Sequence, residues 1–86
     1  MTNIKPKSVH IRWRDSYALK DGWGSTKSYD LKVEPICETI GWLTYEDKHY
    51  WYVALNLSHE KDDHYDCSDT ILIPKVCVVK KRFIKL

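Results

Sequence analysis

With 86 residues, 43% apolar and 30% charged, the chain has the composition of one small globular domain and lacks the low-complexity tracts of a disordered segment. Even the apolar run Trp51 to Leu55 is far short of the roughly 20 residues a membrane-crossing helix needs, and no apolar secretory stretch opens the sequence. The expectation is a single domain over residues 1–86, cytoplasmic and without membrane contact, preceded over residues 1–8 by a flexible basic segment. Three cysteines (Cys37, Cys67, Cys77), odd in number and without C-x-x-C spacing, argue against a disulfide framework and against a zinc site of the usual kind. No metal and no cofactor are expected.

The net charge of +2 hides a strong asymmetry. Lys5, Lys7, Arg12 and Arg14 lie ahead of the first acid, and Lys75, Lys80, Lys81, Arg82 and Lys85 lie beyond the last one. All 12 carboxylates fall between Asp15 and Ile73. Such a distribution bears on the choice of partner more than the total does.

In chain order, Val9, Ile11 and Trp13 alternate with His10, Arg12 and Arg14, the period-2 signature of a strand with one buried face. Asp15-Ser16 ends it. A polar excursion containing Gly22-Trp23-Gly24 follows, with a short strand expected at Tyr29 to Glu34, closed by Pro35. The next hairpin reads from Ile36 to Tyr45, turns at Glu46-Asp47-Lys48-His49 and returns from Tyr50 to Ser58. A four-residue turn would set Tyr45 opposite Tyr50, Leu43 opposite Tyr52 and Trp42 opposite Val53. That register buries Ile36, Ile40, Trp42, Trp51, Val53, Leu55 and Leu57, leaving Leu43, Tyr45, Tyr50 and Tyr52 on the opposite face. His59 to Asp69 reads as a charged loop, Thr70 to Ile73 as a short strand, and Pro74 as a corner or helical turn before a last strand that begins at Val76.

Short strands, a long first loop, a tight central hairpin and a proline corner predict an all-β fold, a small five-stranded SH3-like (Sm-like) barrel. An OB-like barrel is the alternative. Pairing of the first and last strands would bring the two basic ends together.

Trp13-x-Asp15-Ser16, Gly22-Trp23, Gly41-Trp42-Leu43 followed by Glu46-Asp47, and Ile71-Leu72-Ile73-Pro74-Lys75, taken in that order and spacing, resemble a group of small phage- and prophage-encoded proteins. The resemblance covers Val9 to about Arg82. It implies an accessory protein at work in the bacterial host cytoplasm, where such proteins bind and block a host protein, including those of host defence, or sequester a signalling molecule. It assigns no site residues.

The residues themselves point to binding rather than catalysis. There is no nucleophile elbow around a serine, no phosphate-binding glycine loop and no recognisable carboxylate pair. The histidines, acids and Cys67 between His59 and Asp69 match no metal-ligand spacing, and a solvated loop is the simpler reading. Eleven aromatic residues exceed what so small a core can hold. Trp23, Leu43, Tyr45, Tyr50 and Tyr52 are therefore the candidate partner-binding residues, against a structural tyrosine ladder and a Trp23 that caps the barrel as the alternatives. Arg12, Arg14, Lys80, Lys81 and Arg82 are candidate phosphate contacts. Three functions are expected in descending order: docking to a host protein through the aromatics, binding of a nucleotide or single-stranded nucleic acid, and self-assembly into a homo-oligomer through an open strand edge.

Overall fold

A computed structural model describes residues 5–16, 24, 35–59 and 64–85. Five strands, β1 (Lys7–Arg14), β2 (Ile36–Glu46), β3 (Tyr50–His59), β4 (Tyr65–Pro74) and β5 (Val78–Phe83), form one sheet in the order β4-β3-β2-β1-β5, with every pairing antiparallel. A single 3₁₀ turn, Lys75–Cys77, links β4 to β5. β1 to β4 run as a meander and only β5 crosses over, to pair with β1. That is the arrangement of an SH3-like barrel and not the Greek key of an OB-type barrel. Among the described residues no helix is long and apolar enough to cross a membrane.

The sheet curls without closing. Val9, Ile11 and Trp13 from β1 share one buried cluster with Val53 of β3 and Ile73 of β4, although β2 separates these strands in the sheet. Cys37, Leu43, Trp51, Ile71 and Val78 pack against that cluster. Full burial of Val9, Ile11, Val53 and Ile73 contributes about 1.5–3 kcal/mol for each side chain. The Trp13 indole keeps its donor satisfied by giving a 3.0 Å hydrogen bond to Thr39 Oγ1, as a buried tryptophan requires.

β2 serves both halves of the barrel. Ile36 to Leu43 pair with the whole of β1, from Arg14↔Ile36 to Lys7↔Leu43, whereas pairing with β3 starts only at Trp42↔Ala54 and runs on to Glu46↔Trp51. Gly41 sits where the second ladder begins. A Cβ there would run into the Ala54 carbonyl oxygen and stand 2.9 Å from Val53 Cγ1, so the close approach of β2 to β3 needs a residue without a side chain. Beyond Ala54, β3 stays paired with β4 alone, from Asn56↔Ser68 to His59↔Tyr65. The two strands run on as a ribbon whose last described pair, His59 and Tyr65, stacks its rings 4.6 Å apart. Asp69 enters the ribbon with a positive φ of 57°, and its carboxylate accepts a 2.8 Å hydrogen bond from Asn56 Nδ2 across the strands.

Four expectations are corrected here. Residues 7 and 8, expected in a flexible segment, are not part of one, because Lys7 and Ser8 belong to β1 and the Ser8 hydroxyl donates to the Ile84 carbonyl. The charged stretch from His59 to Asp69 is not simply a loop: His59 ends β3, and Tyr65 to Asp69 form the first half of β4. The 3₁₀ turn takes Lys75 to Cys77, so the last strand begins at Val78 rather than Val76. The hairpin register is also different, with Tyr45 opposite Tyr52, Leu43 opposite Val53 and Trp42 opposite Ala54. Its loop is two residues, Lys48-His49, closed by a 3.1 Å hydrogen bond from the Asp47 amide to the Tyr50 carbonyl. Thr44 is an extra residue in β2, where the register shifts between Leu43 and Tyr45. Such a bulge moves every residue before it to the other face relative to a regular pairing. The strand expected at Tyr29 to Glu34 lies outside the described residues.

Candidate binding face

Strand alternation divides the sheet into an inner face, which holds the core, and an outer face. On the outer face β2 contributes Glu38, Ile40 and Trp42 and, after the bulge, Tyr45; β3 contributes Tyr50, Tyr52 and Ala54; β4 contributes Leu72. Cross-strand pairing makes them neighbours, since Tyr52 stands between Tyr45 and Leu72, and Trp42 is paired with Ala54. Ile40 is 59% exposed, Tyr45 58%, Leu72 45% and Tyr50 37%. Single exposed apolar side chains are ordinary on a protein surface, whereas a contiguous set marks a contact surface.

The three tyrosines differ in role. Tyr52 donates its hydroxyl to Asp47 Oδ2 at 2.9 Å, and the Tyr45 ring stands edge-on to it with centroids 5.0 Å apart. Asp47 Oδ1 accepts the backbone N–H groups of His49 and Tyr50, each at 2.8 Å. Those backbone donors, reinforced by the Tyr52 hydroxyl, hold the Asp47 carboxyl below its ordinary range against some desolvation. The same hydrogen bond, with some burial and the neighbouring charge, pushes the Tyr52 phenol up. Tyr52 is thus tied into the turn, while Tyr45 presents most of its ring to solvent.

Leu43 does not belong to this face. The bulge at Thr44 puts Leu43 opposite Val53 and against the core, while Trp42, expected inside, is outside. Trp23 lies outside the described residues.

The basic candidates separate as well. His10, Arg12, Lys80 and Arg82 share the outer face, where β1 pairs His10 with Arg82 and Arg12 with Lys80. Together with Glu38 they line a depression of about 250 Å³. His10 Nε2 lies 3.0 Å from Glu38 Oε1, and Arg82 Nε donates to His10 Nδ1 at 3.2 Å. Because Nδ1 accepts from Arg82, the ring proton sits on Nε2 and is given to Glu38. Arg14 lies one outer position beyond Arg12, exposed at the end of β1. Lys81 pairs with Ile11 on the inner side, with its ammonium 3.7 Å from the centroid of the Trp51 ring. It does not join the outer cluster.

At the end of the sheet where Lys5 and Lys85 approach one another, a groove of about 490 Å³ is lined by Lys5, Pro6, Lys7, Trp42, Phe83 and Lys85 among others. Sequence reasoning missed Trp42, His10 and Phe83. The alternation that defined β1 already placed His10 beside Arg12, but the bulge that exposes Trp42 leaves no mark in the sequence.

Among the described residues no three His, Cys, Asp or Glu side chains are grouped to hold a metal ion. Cys37 lies 3.7 Å from Asp15 Oδ2, and burial together with that carboxylate pushes its thiol up, away from the thiolate a nucleophile needs. Comparison of the chain with protein-family models, with curated proteins and with solved structures gives no match.

Proposed function

We propose that this chain is a non-enzymatic binding protein that docks a host protein on its outer aromatic face and thereby inhibits or modulates it. The observation that carries this reading is the contiguous exposed set Ile40, Tyr45, Tyr50 and Leu72 around the half-buried Trp42 and Tyr52. Tyrosine and tryptophan supply large, stiff contact area at little entropic cost, which makes them the usual anchors of protein interfaces. A face fixed by five hydrogen-bonded strands is also ordered before binding, which lowers the cost of association. The resemblance to small phage proteins supports a setting in the bacterial host cytoplasm and a partner of host origin.

Affinity capture from bacterial host lysate, followed by reconstitution with the purified captured protein, tests the reading. One host protein is expected in a stoichiometric complex, lost with Tyr45→Asp or Leu72→Asp and kept with Lys80→Glu. The complex should change little between about 50 and 200 mM salt, because apolar contact rather than charge holds it. A reconstituted complex that Tyr45→Asp and Leu72→Asp both form as the wild type does would overturn the reading.

A further inference from the structure

We infer that the outer surface of the β1–β5 pair, together with the groove at the adjoining end of the sheet, is a binding site for a base linked to a phosphate, the chemistry shared by free nucleotides and single-stranded nucleic acid. The site shares Trp42 with the aromatic face but has its phosphate seat on β1 and β5. Its phosphate seat is the depression formed by Arg12, Lys80 and Arg82 over His10. Three permanent cations line it against one carboxylate, and that carboxylate is already engaged: Glu38 takes the His10 ring and lies 3.8 Å from Arg12 Nε. Among the described residues Lys80 has no hydrogen-bond or ion-pair partner, and Arg82 uses only its Nε, toward His10. An ammonium and the rest of a guanidinium fork are thus left for an oxyanion, and His10 holds Arg82 from behind. Guanidinium groups match phosphate oxygens in geometry as well as charge.

The base would stack in the adjoining groove. Along β1, His10 leads in one outer step, about 7 Å, to Ser8, which pairs with Trp42 and lines that groove. The groove lies at the end of the sheet, where Trp42 reaches it from the outer face and Phe83, paired with Val9, from the inner one, with Lys5, Lys7 and Lys85 and no acid in its lining. Its volume is that of a small-ligand site. Cations tracking beside aromatic rings are the recurring device for holding single strands without sequence preference. Among the described residues Asp47 stands at the β2–β3 turn, Asp66 and Asp69 stand on the β3–β4 ribbon, and Glu46, which lies nearer the groove, is paired with Lys75 at 2.7 Å.

The test is titration of the full-length protein with an oligothymidylate of about eight nucleotides, thymidine monophosphate and inorganic phosphate, read by anisotropy of labelled oligonucleotide and by competition. Wild type should bind the oligonucleotide at about 50 mM salt and lose affinity steeply toward 200 mM. The double variant Lys80→Glu, Arg82→Ala, with an unchanged circular dichroism spectrum and melting point, should bind at least about tenfold more weakly, with a log–log salt slope smaller by about 0.7 for each contact removed. Leu72→Asp, on β4 at the edge of the sheet opposite β5, should bind as the wild type does, which separates this site from the docking face. Displacement of the oligonucleotide by the monophosphate identifies a free nucleotide as a sufficient ligand; a monophosphate that does not compete identifies the strand. Either outcome supports the site. No binding of any of the three probes at 50 mM salt, equal binding by the double variant, or inorganic phosphate as effective as the nucleotide would overturn it.

Discussion

The Tyr52 hydroxyl donates to Asp47 Oδ2 at 2.9 Å while Asp47 Oδ1 takes two backbone N–H groups of the turn that joins β2 to β3. One carboxylate therefore closes the hairpin and fixes the ring around which the outer aromatic face is built. Its depressed pKa means that the charged form stabilises the fold above the ordinary carboxylate value, about 3.9, and that this contribution is lost as pH falls through the lower native value. The raised pKa of Tyr52 acts at the other limit, where stability present below about pH 10 is lost as pH rises through the native value. Asp47→Asn should lower the melting temperature by several degrees at pH 7 and flatten its fall below pH 4, whereas Tyr52→Phe should flatten the fall above pH 10. Melting curves across that range check both limits. A wild type and an Asp47→Asn variant with parallel acid profiles would show that the carboxylate plays no such part.

Gly41→Ala should cost about 1–3 kcal/mol, the usual penalty of overpacking a tight site. The added methyl meets the backbone of Ala54 and the side chain of Val53, and neither can yield without opening the β2–β3 ladder. Urea unfolding would measure the loss. Amide exchange should show it concentrated at Trp42 to Glu46 and Trp51 to Ala54, where that ladder is paired.

Val53→Ala and Ile11→Ala remove fully buried side chains, at a cost of about 1–4 kcal/mol each. Domains of this size rarely have more than a few kcal/mol to lose. Either variant should therefore melt well below the wild type and the pair together should not fold at 37 °C, whereas Tyr45→Asp, on an exposed side chain, should melt within a few degrees of it. Calorimetry or near-ultraviolet circular dichroism distinguishes these outcomes.

Cys37 faces Asp15, with burial and that carboxylate both disfavouring the thiolate, whereas Cys67 is exposed on the β3–β4 ribbon. Iodoacetamide at pH 7.5 should label Cys67 first and Cys37 much more slowly. Peptide mapping after partial labelling would show the order, and Asp15→Asn should bring Cys37 forward.

Much of the fold was legible because it rests on local rules. Alternation in Val9 to Arg14 defines β1 and its buried face, and turn residues around Asp47 define the central hairpin. Pro74, which cannot donate to a ladder, ends β4 before the 3₁₀ turn. Basic residues at both ends of the chain come together once β1 and β5 pair, so part of the phosphate seat could be anticipated from their positions alone.

What tertiary structure decided is which side of the sheet each aromatic residue faces. The sequence determined that a hairpin would form between Ile36 and Ser58 and that more aromatic residues exist than a core of this size can hold. It did not determine that Thr44 would bulge, because a bulge is chosen by the fit of both ladders of β2 at once, against β1 and against β3. That single extra residue sends Leu43 into the core and Trp42 out of it. A side chain's face follows from a count of residues along a ladder, and a shift of one in the count reverses it; only packing of the whole barrel fixes where the count begins.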